Sequence, residues 1–273
     1  MVFEKHIPKP PLDQYVDCIV YVEGNNKGVG FPKTAMSLVF NLSDSFKLYS
    51  DSHFNQYIDY KKYWVAGLQT GPSYVENYGL SRMVVIQFRS FGACRFLREP
   101  LRQFADSYVD LDCLLHGEAE HTWEQLQEAK TVARKFEVTE SFLEKRLARH
   151  GSAPHRILPG LTRSLHPGPG NPVQDICRNF NISRKHLNFL FGEYLGVSPK
   201  MYLSLERFQK TLVTISRSKP ARLTELAYEL DYFDQSHFSN NFKRFTGLNP
   251  NEYVRRLESN PSLRYMPHFL PYD

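Results

Sequence analysis

The sequence predicts an α+β protein: a β-rich first half that ends in helices, followed by an all-α second half. Three observations predict it. Up to Phe88 the chain is a series of short β-branched and aromatic runs parted by turn residues. From about Phe91 the apolar residues recur at helical spacing instead. Near the C-terminus, residues 173–202 (VQDICRNFNISRKHLNFLFGEYLGVSPKMY) and 223–253 (LTELAYELDYFDQSHFSNNFKRFTGLNPNEY) are one unit written twice.

In chain order, the runs 15–22, 37–41, 63–68, 74–77 and 83–88 are expected strands of a small antiparallel sheet or partial barrel. Turn signals such as GNNKG, SDS and TGP separate them. The aromatic stretch 46–63 is either the wall of a pocket or part of a core or packed loop. Further on, Trp123, Leu126, Ala129, Ala133 and Phe136 make one helical stripe. After a cap at Thr139 or Ser141, Phe142, Leu143, Arg146 and Leu147 make another, and the 140–150 helix is a candidate dimer seam.

Residues 149–172 are rich in Pro and Gly and mark the boundary, with the joint near 150–154. The expected division is 1–150 for a first domain, 151–260 for a second and 261–273 for a tail. Ile157, Leu158, Leu161 and Leu165 give a short amphipathic helix, and Pro159 and Gly160 favour a start only after them. Asn171, Pro172 and Gln174 then spell a helix start: N-cap, first position, third position.

Each copy of the repeated unit reads as helix, turn, helix. Residues 173, 176, 177 and 180 cover one face of a first helix, as do 223, 226, 227 and 230. Ser183 and Asp234 are suited to cap the second helices, about 183–195 and 234–246. Those helices bury Leu187, Leu190, Phe191 and Tyr194 in one copy, Phe238, Phe242 and Phe245 in the other. Their remaining faces carry groups that donate to phosphates and base edges. Both copies close on G-x-x-P-x-x-Y, at Gly196, Pro199, Tyr202 and at Gly247, Pro250, Tyr253. From Pro199 to about Arg217, Met201, Leu205, Phe208, Leu212 and Ile215 predict one long connecting helix. A single such hairpin could be an ordinary solvated pair of helices; two with matched Gly and Pro favour nucleic-acid reading.

The segment DYFDQSHFSNNFKRFTGLNPNEY resembles the C-terminal signature of the AraC/XylS family of bacterial transcription regulators, and the likeness extends over about 155–258. It implies a seven-helix domain with two helix-turn-helix units bridged by a long helix. By that resemblance, Lys185, Asn188 and Phe189 face bases in the first unit, and Gln235, Ser236, Ser239 and Asn240 in the second. Arg184, Lys200, Lys243 and Arg244 would hold phosphates. The sequence departs from the family pattern at three places. The usual turn glycine is Asp231, matched by Asn181 in the first copy, and both residue types tolerate a left-handed backbone. Phe189 and Asn240 stand where many members carry Arg. Asn can pair bidentately with adenine, whereas Phe can only meet a thymine methyl.

Composition agrees with a DNA-binding second half. From residue 160 onward 15 Lys and Arg stand against 10 Asp and Glu, while 19 balance 19 before it, so the net charge of +5 lies in the repeat half. The four cysteines, Cys18, Cys94, Cys113 and Cys177, have no metal-ligand or CxxC spacing, and Cys177 matches the small core residue Ala227. That argues against an enzyme built like the alkyl-transfer repair proteins, and no nucleophile elbow or phosphate-cradling glycine loop is present. The opening MVFEKHIPKPPLDQY lacks the apolar core of a signal peptide, and no apolar run could span a membrane. A cytoplasmic, non-enzymatic, cofactor-free regulator is the expectation. Its expected partner is double-stranded DNA; RNA polymerase, a small-molecule effector and a second copy through the first half are further candidates. The competing reading is an adaptor that keeps the fold but binds a protein. Arg89, with Tyr63 and Trp64, is the candidate effector site, unless Arg89 instead holds Asp106 or Asp110. His116, Glu118, Glu120 and His121 are close in sequence, but acidic residues are also favoured at a helix start, so no metal site is expected.

Overall fold

The computed structural model describes the chain except residues 1, 25–26, 50, 78, 116, 150–156, 166–169, 218–222, 266–267 and 272–273. The described strands of the first half are β1 (Val2–His6), β2 (Val16–Gly24), β3 (Lys27–Gly30), β4 (Ser37–Asn41) and β5 (Phe46–Tyr49). They continue with β6 (Tyr57–Tyr60), β7 (Tyr63–Ala66), β8 (Ser73–Asn77), β9 (Ser81–Phe88) and β10 (Tyr108–Asp110), and β11 (Phe269–Pro271) returns from the far end of the chain. Among the described residues they form two antiparallel sheets, ordered β1-β2-β9-β4-β7-β10 and β11-β3-β8-β5-β6.

Register explains why the central strands read as continuous apolar runs. Val39 pairs with Trp64 and Val85, while its neighbours Leu38 and Phe40 pair with Val65 and Tyr63. Side chains alternate across a strand, so the first set faces one side and the second the other. Val39, Trp64 and Met83 meet Phe46 and Val75 of the second sheet, with Trp64 stacked on Phe46 at 5.0 Å. The opposite face, with Phe40, Tyr63, Val84 and Ile86, packs on helices. Both faces are covered, which is the sandwich solution to an apolar sheet. The aromatic stretch 46–63 is the β5–β6 hairpin and the entry into β7: Phe46, Tyr49 and Tyr63 are buried, Tyr57 and Ile58 exposed.

The helices on that face are α1 (Asp112–Leu115), α2 (Glu118–Glu128) and α3 (Val132–Arg149). Phe142 of α3 meets Phe40 edge-on at 5.7 Å, and the Trp123 indole donates to the Asn41 carbonyl at 2.6 Å. Two expectations are corrected here. The stripe 123–136 is two helices, broken where Ala129 adopts an extended backbone. Lys135 Nζ caps the break by donating to the Leu126 and Ala129 carbonyls. Conversely, nothing interrupts α3 at Thr139, whose buried hydroxyl donates back to Lys135 O within the helix rather than capping a new one. In the helix segment 140–149, Phe142, Leu143 and Arg146 are buried within the chain.

The second half is α4 (Leu158–Ser164), α5 (Pro172–Asn179), α6 (Arg184–Tyr194), α7 (Pro199–Arg217), α8 (Leu223–Glu229), α9 (Gln235–Thr246) and α10 (Pro250–Ser259), seven helices among the described residues. α4 begins before Pro159 and Gly160, not after them, because Pro is tolerated in a first turn and Gly160 admits the Phe180 ring. The joint expected near 150–154 lies outside the described residues.

The halves share one continuous core. Phe91 meets Phe191 at 5.6 Å, Phe31 meets Phe208 and Tyr253 at 6.5 and 5.8 Å, and Ser90 and Tyr202 hydroxyls lie 3.0 Å apart. Residues 261–273, expected as a tail, are built in as far as they are described. β11 pairs with β3, Leu270 is buried, and the Phe31 amide donates to the His268 carbonyl at 2.8 Å. A side chain at Gly28 would strike the Leu270 carbonyl, so this approach needs glycine.

Candidate nucleic-acid interface

The two repeated units fold alike down to single hydrogen bonds. Ser183 Oγ accepts from the His186 amide at 3.1 Å, and Asp234 accepts from the His237 amide at 2.7 Å, each capping its second helix. Asn171 caps α5 through the Gln174 amide. The turns pass through the left-handed region at Asn181 (φ 50°) and Asp231 (φ 58°), as the residue types at those positions predict. Ile182 N donates to Cys177 O and Tyr232 N to Ala227 O, both at 3.0 Å.

The closing G-x-x-P-x-x-Y has a physical cause at each place. Gly196 (φ 93°) and Gly247 (φ 75°) end α6 and α9 in the left-handed conformation. Pro199 and Pro250 open the next helices, where a missing amide hydrogen costs nothing. One turn on, Tyr202 and Tyr253 are buried against Phe191 and Phe242 at 5.8 and 5.5 Å. Such a ring pair contributes ~0.5–1.5 kcal/mol beyond its buried area. Asn249 and Glu252 add a reciprocal cap to α10 that the repeat alone did not reveal.

On α6, Leu187, Leu190 and Phe191 are buried while Arg184, Lys185, Asn188 and Phe189 are exposed. On α9, Phe238, Phe242 and Phe245 are buried while Gln235, Ser236, Asn240, Lys243 and Arg244 are exposed; Ser239 is half-buried. Lys200 is exposed in the first turn of α7. Asn241, next to Asn240, turns the other way and donates to Ser204 of α7 at 3.0 Å, fixing the rotation of α9.

The second unit holds one residue more than the first between its left-handed turn and its cap. Tyr232 takes the place of Ile182, and the additional residue, Phe233, is left 86% exposed just before α9. Sequence reasoning passed over it. The signal was the alignment offset, which grows by one residue between Leu226 and His237. Phe189, 53% exposed and stacked on His186 at 6.2 Å, is its counterpart as a bare aromatic in the first unit.

The candidate effector residues do not converge. Arg89 is exposed, donates to Asp13 O at 2.7 Å and pairs with Asp17 at 3.6 Å, not with Asp106 or Asp110. Adjacent on β7, Tyr63 and Trp64 point to opposite faces of the sheet. The Tyr63 hydroxyl lies within hydrogen-bond reach of Asp112 (2.8 Å) and Glu120 (2.6 Å), and burial with those two carboxylates pushes its pKa up. Of the cluster 116–121, Glu118 pairs with Arg146 and Glu120 with Lys62, while His116 lies outside the described residues. No group of His, Cys, Asp or Glu among the described residues could hold a metal, and no described helix is long and apolar enough to cross a membrane.

Residues 176–256 match the family described as "Helix-turn-helix domain", and residues 4–110 match a "Domain of unknown function (DUF6597)". The chain is 31% identical over 88 residues to the raffinose operon transcriptional regulatory protein RafR of Pediococcus pentosaceus, covering 32% of this chain and 31% of that one. It is 30% identical over 88 residues to the lactose operon transcription activator of Staphylococcus xylosus, with the same coverage. To the arabinose operon regulatory protein of Escherichia coli K12 it is 27% identical over 116 residues, 36% of this chain and 39% of that one. The chain thus spans about a third of the length of the curated relatives it matches. Among solved structures, ToxT from Vibrio cholerae O395 aligns over 87% of this chain and 96% of its own at 14% identity, TM-score 0.45. Residues 176–256 thus carry a helix-turn-helix domain, and over about a third of its length the chain is similar to bacterial operon regulators such as RafR and the arabinose operon regulatory protein.

Proposed function

We propose that this protein is a one-component transcription regulator that sets α6 and α9 into successive major grooves of one DNA duplex, under control of its first half. The observation that carries the reading is the pair of matched recognition helices with capped N-termini and exposed polar faces, joined by α7. Its 19 residues give a spacer of roughly 28 Å at the helical rise, against ~34 Å between groove faces on one side of a duplex. The relatives named for operon regulation support the same reading.

In this reading Lys185, Asn188 and Phe189 contact bases from α6, and Gln235, Ser236, Ser239 and Asn240 from α9. Arg184, Lys200, Lys243 and Arg244 hold phosphates. The chain acts as a binding protein rather than an enzyme, in the cytoplasm where the chromosome lies, and RNA polymerase is the partner a bound regulator would recruit. A second copy could join through the first half.

The test is fluorescence anisotropy of the full chain on DNA from its own promoter region, against scrambled duplex, over a range of salt. Selective binding whose affinity falls steeply with salt is expected. Asn240→Ala should cost about 1–3 kcal/mol on the selected site and relax one base position. Equal binding to both duplexes in genomic-fragment selection would overturn the reading.

A further inference from the structure

We infer that a cavity of about 290 Å³ in the first half, between the end of α3 and residues 97–99, is a binding site for a small organic anion with an apolar body. Leu97, Leu114 and Leu115 make its apolar wall, and Arg98, Arg146, Arg149, Glu99 and Glu118 its charged one. Three guanidiniums thus stand against two carboxylates. Arg146 has a side chain only 6% exposed and is held fast: Nε and Nη2 donate to the Phe96 carbonyl at 3.0 and 2.7 Å, and Nη1 pairs with Glu118 at 3.2 Å. Glu118 also pairs with Arg149, so one carboxylate serves two guanidiniums. Arg146 is buried while Arg98, Glu99 and Arg149 are exposed, so the surplus positive charge lies around one desolvated guanidinium and favours an added anion, which Arg binds with directional, charge-assisted hydrogen bonds.

The helix beside it works in the same sense. Glu118 is the first residue of α2, whose N-cap is Gly117 and gives no side-chain acceptor to the first amides. The positive end of that helix therefore adds to the field at the wall Glu118 lines. The volume corresponds to about ten waters at ~30 Å³ each, which suits a ligand of roughly ten to fifteen non-hydrogen atoms. Carboxylates and phosphate monoesters share the required chemistry.

The position suggests what occupancy does, and this part rests on the DNA-binding reading. Residues 97–99 run through Pro100 into the turn Leu101–Phe104, on which α6 is seated. Arg102 pairs with Glu193 of α6, and the Leu101 carbonyl lies where a side chain at Gly196 would be. A ligand that shifts or stiffens the 97–99 wall moves the seat of the first recognition helix.

Cys113, an exposed thiol on the cavity wall, supplies the readout, with Cys177 in the other half as internal control. The full-length protein, without DNA, is alkylated with iodoacetamide in the presence of millimolar aryl and branched-chain carboxylates and aryl phosphates, benzoate and phenyl phosphate included. Mass spectrometry follows each cysteine. At least one anion should slow Cys113 alkylation fivefold or more and leave Cys177 unchanged, while its neutral amide or alcohol does neither. Arg149→Gln, at an exposed side chain, should weaken that protection about tenfold, and Arg149→Lys should restore part of it. Glu118→Gln should strengthen it, because it removes the competing carboxylate; a merely structural role would not give that sign. No protecting anion, equal protection by the neutral analogue, or indifference to Arg149→Gln overturns the site. DNA affinity measured without ligand tests the earlier reading separately. A protecting anion that leaves DNA affinity within twofold overturns the coupling while the site stands.

Discussion

The two helix-turn-helix units have the same caps, left-handed turns and ring pairs, yet differ in what they touch. The first is pressed onto the other half: Glu193 meets Arg102, Phe191 meets Phe91, and Gly196 sits on the Leu101 carbonyl. Around the second the neighbours are side chains instead, with Gly247 near the Tyr74 hydroxyl and Tyr253 against Phe31. Its turn is a residue longer and puts Phe233 into solvent. A duplicated scaffold thus has two different settings. The first unit rests on a backbone carbonyl and an ion pair, the second on side chains.

The largest expected effect tests whether the scaffolds are equivalent. Phe191→Ala and Phe242→Ala should each destabilise the protein by ~3–5 kcal/mol in denaturant unfolding. A loss under half that in one unit would mean that its core is not the copy it looks like. Acid should act next, on the seat of the second unit. His268 Nδ1 is shut from solvent without a hydrogen-bond partner, and burial, then the Lys33 charge, holds its pKa down at about 4. The unfolded imidazole binds a proton near pH 6.5 and the folded one does not. Stability from this group is therefore present above pH 6.5 and lost as pH falls toward 4, by at most ~3 kcal/mol. His268→Asn should flatten that part of the pH–stability curve; an unchanged curve would clear His268.

Glycine replacement separates the two seats. Gly196→Ala combines a left-handed backbone with a Cβ 2.9 Å from the Leu101 carbonyl oxygen, and should cost ~2 kcal/mol or more in thermal unfolding. Gly247→Ala meets only the tip of Tyr74, which can swing aside, so a cost near ~1 kcal/mol is expected. Equal losses would mean that the backbone seat yields as readily as the side-chain one. The smallest stability effect is at Phe233→Ser: within ~0.5 kcal/mol in unfolding, since the ring packs on nothing buried. On DNA the same variant should lose a preference for thymine over uracil at one position, because the methyl is what an aromatic can touch.

Much of this was legible in the sequence. Asn181 and Asp231 stood where a left-handed turn was needed, and both adopt it. Ser183, Asp234 and Asn171 were legible as caps because capping is local chemistry. What escaped depends on distant partners. β10 is three residues that are a strand only because β7 lies alongside, and β11 likewise depends on β3. The break between α2 and α3 has no Gly or Pro to announce it; Lys135 reaches back to hold it. Arg89, Tyr63 and Trp64 looked like a site because all three fall on or beside expected strands of one sheet, but strand alternation sends the two rings apart. The arginine cavity draws on segments around residues 98, 118 and 146, which no local pattern joins.

The pairing of β11 with β3 has a consequence for taking the protein apart. The whole helix-turn-helix half lies in sequence between these two strands, so one nick does not make two products. Trypsin acting after the exposed Arg149 should leave fragments that co-elute under native conditions and separate only in denaturant. A first half expressed alone would instead expose β3 as an unpaired edge, the kind of surface that recruits another chain.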